Sequence, residues 1–133
     1  MIFEFRTCVK IYDTDAAGIL FFGNQFRLVQ DAYEAYLESK GFPLIYLLEK
    51  TSYIVPVVQA ETSYRVPLRV SDKLTIKLSI KKVGTTSFVL GHEIFKEGGE
   101  LAGEGKTVHV CIDKKTGSKI PLPQELHDIF GPA

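Results

Sequence analysis

From Leu74 to Ile80 the chain alternates strictly. Leu74, Ile76, Leu78 and Ile80 face one way and Thr75, Lys77, Ser79 and Lys81 the other, the period-two signature of an antiparallel strand with one buried face. Residues 57–66 repeat the pattern. Val58, Ala60, Thr62, Tyr64 and Val66 alternate with Gln59, Glu61, Ser63 and Arg65, while Pro56 and Pro67 mark bends, edges or strand ends. Two more strands are predicted over 86–96 and 101–113, joined at Glu97-Gly98-Gly99-Glu100 by a hairpin turn whose glycines supply positive φ. A first strand is predicted over residues 2–12, poorly patterned but rich in Ile, Phe, Val and Tyr.

Between the first strand and the others the period changes. The spacing predicts a helix that starts with Asn24 as N-cap and stops at Gly41, with Pro43 two positions beyond. Its strongly polar positions, Arg27, Gln30, Asp31, Glu34 and Glu38, form one narrow stripe on which Arg27 and Asp31 can pair at i,i+4. Phe26, Leu28, Val29, Ala32, Tyr33, Ala35, Tyr36 and Leu37 cover a wider arc than a surface helix needs. Such a helix is enclosed on most of its circumference. The predicted order is β-α-β-β-β-β, an α+β fold in which about five antiparallel strands curl around one long central helix. Gly91, Gly103 and Gly105 suit that picture, since missing side chains let strands bend and the helix come close.

The chain of 133 residues suffices for one core and is too short for two ordinary domains, so residues 1–133 are expected to form a single domain. Sixteen basic and sixteen acidic side chains cancel, leaving no field to draw in nucleic acid. Glu4, Arg6 and Lys10 break the apolar start, so neither a signal peptide nor a membrane span is expected and the protein is expected in the cytoplasm. Cys8 and Cys111 lack C-x-x-C spacing and read as buried reduced thiols. The closing Gly-Pro-Ala reads as a loose end.

The chemistry concentrates in "YDTDAAGILFFGN", residues 12–24, where two carboxylates precede a small-residue turn and a run of large apolar side chains. Turn or capping duty suits Asp13 and Asp15 equally, because aspartate readily bonds local backbone amides. Asp15 carries a second possibility. It precedes Ala16, Ala17 and Gly18, which leave room for a substrate, and lies close in sequence to a helix start, whose unpaired N–H groups and partial positive charge suit a polarised carbonyl or oxyanion. Phe21 and Phe22 either line an acyl pocket or pack the helix start; Phe26 falls on the buried arc. His92, His109 and His127 show no metal-ligand spacing, and His109 reads as a satisfied sheet histidine. No metal is assigned. The serines lack a nucleophile elbow. Glu34 is a distant second candidate carboxylate.

The segment "YDTDAAGILFFGNQF" resembles the D-x-D-x-x-G-hydrophobic stretch and following Asn of the 4-hydroxybenzoyl-CoA thioesterase family, which has the hotdog fold. The resemblance continues through "SYRVPLRVSDKL" and "LAGEGKTVHVCID". The ending "HVCIDKKTGSKIPLPQEL" and the helix are most similar to the branch acting on 1,4-dihydroxy-2-naphthoyl-CoA in quinone biosynthesis. The resemblance implies an acyl-CoA hydrolase with no cofactor, in which Asp15 is catalytic and a backbone amide at the helix start, Phe22 with Gly23 beside it, polarises the thioester carbonyl. Asp15 would attack the carbonyl carbon or activate a water.

It also implies dimers, often paired into tetramers, with active sites between subunits. Three positions depart from the family pattern: Phe22 stands where many relatives have Tyr or His, Gln25 where they have Tyr, and Gln30 where they have Glu or Asp. A side-chain role at position 22 is thereby excluded; an amide role is not. Arg65, Arg69, Lys81, Lys82 and Lys106 are available for the CoA phosphates. The alternatives are hydrolysis of acyl-carrier-protein thioesters and a non-catalytic acyl-binding dimer.

Overall fold

The alternating segment at 74–80 forms the middle of β4 (Lys73–Val83), the second strand of an antiparallel sheet in the computed structural model, which describes residues 2–131. Its companions are β1 (Ile2–Cys8), β3 (Val57–Tyr64), β5 (Ser87–Lys96) and β6 (Leu101–Val110), in the order β1-β4-β5-β6-β3. Two short strands, β2 (Tyr53–Ile54) and β7 (Ile112–Asp113), pair separately. The expected loose end lies, beyond Gly131, outside the described residues.

The long helix α1 (Asn24–Ser39) buries Leu28, Val29, Ala32, Tyr33, Tyr36 and Leu37 in one cluster with the inward residues Leu74, Ile76, Leu78, Phe88, Leu90 and Ile94. This is the α+β hotdog arrangement. Gln30, Glu34 and Glu38 are exposed and Arg27 and Asp31 half-buried, so the polar stripe runs where the periodicity put it. Beyond Ser39 the chain stops in a Schellman motif: the Gly41 N–H donates to Glu38 O at 3.0 Å and the Phe42 N–H to Leu37 O at 2.9 Å, with Gly41 at φ +70°.

Two helices were not anticipated, α2 (Leu44–Lys50) and α3 (Gln124–Phe130). Each follows a proline, Pro43 or Pro123, and buries one or two apolar residues. The α3 helix caps the far end of α1: Phe130 stacks on Phe88 at 4.2 Å, and the Tyr36 hydroxyl donates to the Ile129 carbonyl.

The first strand ends at Cys8 rather than 12. There the Asp13 carboxylate accepts the Lys10 N–H at 2.9 Å and folds Ile11–Asp13 into a 3₁₀ turn. Cys8 is half-buried rather than buried; Cys111 is buried, and both are free thiols. The glycines divide by role. A Cβ on Gly103 would come within 2.5 Å of Gln25 Nε2, so here the helix does approach the sheet. At Gly105 the close neighbour is the β3 backbone, 2.0 Å from a Cβ, and at Gly91 it is the Lys81 stem on the outer face.

Strand β3 is one of the sheet's two edges, β1 being the other. Its alternation predicts one buried face, yet Val57, Val58 and Tyr64 are 46%, 60% and 50% exposed. An apolar edge strand left open is a template for pairing with another chain.

Candidate active site

Residues 13–21 form a small hairpin. The Phe21 N–H donates to Asp13 O at 3.0 Å, the Asp15 N–H to Ile19 O at 2.9 Å, and the Gly18 N–H closes the tip on Asp15 O at 3.0 Å, with Gly18 at φ +76°. The returning arm docks on the chain before β4, the Leu20 N–H donating to Leu68 O at 2.7 Å. This hairpin separates the two aspartates.

Asp13 is buried, its side chain 1% exposed. One carboxylate oxygen bonds the Lys10 N–H and the other pairs with Arg27, which also reaches Asp31 at 2.9 Å. The Asp13 carbonyl accepts from Asn24 Nδ2 at 2.8 Å as well as from Phe21. Asp13 thus knots the hairpin to α1, and its role is structural.

Asp15 is exposed. Its Oδ1 accepts the Ala17 N–H at 2.8 Å and the Ile19 N–H at 3.3 Å, which fixes the side chain on its own turn. The other oxygen, Oδ2, has no hydrogen-bond partner among the described residues. Ile19 faces Asp15 across the hairpin, and Phe22 lies three residues beyond, no more than about 10 Å of chain away.

The helix start differs from the sequence expectation. Asn24 is its first residue rather than its cap, and its side-chain Nδ2 donates to the Asp13 carbonyl; Gly23 takes the N-cap position with no side chain to offer. Just before the helix, the Phe22 and Gly23 N–H groups have no acceptor among the described residues. Donors without acceptors at the positive end of a helix are chemically able to receive a polarised oxygen. Phe22 also lines a pocket of about 290 Å³ with Ile19, Leu20, Tyr64, Val66 and Leu68. Asp15 and Phe21 stand outside this lining. The Phe21 and Phe22 rings lie 4.7 Å apart, 48% and 65% exposed.

Further along α1, Phe26, Val29, Gln30 and Tyr33 line an apolar pocket of about 230 Å³ with Val57 and His109. Glu34 is exposed and accepts Gln30 Nε2 at 2.9 Å. Of the five candidate cations, Arg65 pairs with Glu104 and Lys106 with Glu61, whereas Arg69, Lys81 and Lys82 form no ion pair among the described residues.

Sequence reasoning missed the polar links between the helix start and β3. Gln25, 1% exposed, donates through Nε2 to Thr62 Oγ1 at 2.6 Å and Ser63 O at 3.1 Å, and Thr62 Oγ1 lies 2.8 Å from His92 Nε2. A glutamine among apolar helix residues was the available signal. Among the described residues His92 and His109 are each bonded at Nε2 only, the latter to Thr107, and their buried Nδ1 atoms have no partner. His109 is thus half satisfied.

Burial pushes both imidazoles down to about 4, so both are neutral in the fold at pH 7. The unfolded chain takes up those protons near pH 6.5, so their stabilising contribution is complete above that pH and is lost as pH falls toward 4. Folding stability is expected to drop by about 1 kcal/mol per histidine between pH 7 and pH 5.5. Urea unfolding at the two pH values measures it.

Residues 9–130 match the thioesterase-like superfamily. The chain belongs to that superfamily. Similar proteins include the 1,4-dihydroxy-2-naphthoyl-CoA hydrolase of Trichodesmium erythraeum, 34% identical over 128 residues that cover 95% of this chain and 93% of that one. The crystal structure of the 1,4-dihydroxy-2-naphthoyl-CoA thioesterase from Synechocystis superposes with a TM-score of 0.93 at 28% identity, covering 98% of this chain and 96% of the other. A gentisyl-coenzyme A thioesterase superposes with a TM-score of 0.82 at 31% identity, covering 96% and 99%. This member of the thioesterase-like superfamily is an acyl-CoA thioester hydrolase. Among its described residues no helix is long and apolar enough to cross a membrane.

Proposed function

We propose that the enzyme hydrolyses an aromatic acyl-CoA of the 1,4-dihydroxy-2-naphthoyl-CoA kind in the cytoplasm, with the thioester carbonyl received by the Phe22 and Gly23 amides and Asp15 as the reacting carboxylate. The observation that carries this reading is the pair of open N–H donors at the uncapped start of α1. One such donor contributes about 2.7 to 4 kcal/mol to stabilising a developing oxyanion. Asp15 adds a carboxylate with one oxygen fixed by backbone and one open, the state a nucleophile or general base needs. The aromatic acyl groups of the relatives support the substrate class.

The site is completed in this reading by a second copy of the chain. The exposed Phe21, Phe22, Val57, Val58 and Tyr64 flank the open β3 edge, and a pocket of about 290 Å³ is small for an acyl-CoA. A homodimer, or two dimers paired, would cover this edge and wall the pocket.

The test is thiol release from a panel of aromatic CoA, aliphatic CoA and acyl-carrier-protein thioesters, with molar mass measured by light scattering on the same preparation. Aromatic CoA thioesters are expected to turn over with the highest kcat/KM, by at least about tenfold, on a species of two or more chains. Equal turnover of the aliphatic set, or a fully active single chain, contradicts the reading.

A further inference from the structure

Each peptide unit at the helix start has its carbonyl fixed, and in a trans peptide the N–H of the next residue points opposite to that carbonyl in the same plane. The Phe21 carbonyl accepts the Asn24 N–H at 2.8 Å, which orients the Phe22 N–H from within the turn. The Phe22 carbonyl is held differently. It accepts the Tyr64 hydroxyl at 2.7 Å, from β3, and only weakly the Gln25 N–H, at 3.3 Å. The orientation of the Gly23 N–H therefore depends on a side chain 42 residues away in sequence.

The geometry points to Tyr64 as a positioning residue that aims and polarises the Gly23 amide, an inference that rests on the thioester-hydrolase site described above. Two effects act together. The phenol fixes the Phe22–Gly23 peptide plane, at a glycine N-cap with no side chain to hold it. Donation to the carbonyl also draws electron density toward oxygen, making the N–H of the same peptide a stronger donor, as in any hydrogen-bonded chain of amides. Tyr64 lies on the pocket lining beside Phe22, and its anchorage is independent of Asp15. The neighbouring Gln25 bonds to Thr62 and Ser63 keep β3 and α1 in register, so the phenol need not secure the fold.

Tyr64→Phe keeps the ring and removes only the donor. Its kcat is expected to fall about tenfold with KM within about twofold of wild type, because the lost interaction strengthens as charge develops on oxygen. An unchanged kcat overturns the inference. The second readout is the infrared carbonyl stretch of an aromatic acyl-CoA bound to Asp15→Asn, compared with the same ligand on the Asp15→Asn/Tyr64→Phe double variant. A downward shift in the first that shrinks in the second supports the inference, since a purely structural role would leave the bound carbonyl unmoved. An equal shift in both overturns it while leaving the amide site intact. No shift in Asp15→Asn overturns the amide site and this inference with it.

Discussion

Asp15→Asn is expected to fold and assemble as the wild type does and to hydrolyse aromatic acyl-CoA thioesters about 10²- to 10⁴-fold more slowly, chiefly through kcat. The substitution is isosteric, and asparagine's Oδ1 can accept the same Ala17 and Ile19 N–H groups, so the turn survives. What disappears is the negative charge on an oxygen that no group among the described residues uses. Because the residue is exposed, the change in folding stability should stay within about 0.5 kcal/mol. Thiol-release kinetics and a urea titration on one preparation separate the two effects. A variant with wild-type kcat removes Asp15 from the chemistry, whatever else the chain does.

Removing the carboxylate two residues earlier has the opposite expected signature. Asp13→Ala removes a carboxylate that is 1% exposed and leaves the Lys10 N–H without an acceptor. Breaking a buried pair by deleting one partner costs about 3–5 kcal/mol where the other charge is stranded. Here Arg27 is 39% exposed and keeps Asp31 at 2.9 Å, so the guanidinium is not stranded and about 2–3 kcal/mol is expected. The loss should show as a lower urea midpoint at unchanged slope. Activity should fall less than in Asp15→Asn, because the hairpin's link to Phe21 and Asn24 runs through the Asp13 backbone carbonyl. A loss below about 0.5 kcal/mol would contradict the knot assigned to Asp13.

The helix and the main strands were legible because their burial pattern is local: the polar stripe of α1 and the alternation in β4 each follow from one element against one core. The Gly-Gly hairpin was equally plain, since Gly98 and Gly99 both adopt positive φ. The short helices α2 and α3 were not legible. A seven-residue helix has little periodicity to read, and α3 exists because Phe130 finds Phe88 and Tyr36 finds Ile129.

The site was legible in residue type and misread in local detail. Asn24 looks like a cap and is recruited elsewhere, because Asp13, eleven residues back, offers a carbonyl that only the folded hairpin brings within reach. The bond from Tyr64 to Phe22 joins a strand end to a helix start and leaves no trace in spacing. The exposure of β3 carries the reverse lesson. A pattern that predicts a buried face lies here on an exposed edge strand, the surface that the proposed dimer would cover.

The most direct test is a crystal structure of Asp15→Asn with an intact aromatic acyl-CoA. The thioester oxygen is expected about 2.7–3.1 Å from the Phe22 or Gly23 nitrogen, with the carbonyl carbon turned toward residue 15. A thioester bound with its carbonyl directed away from the start of α1, or with residue 15 on no side of it, would contradict the account.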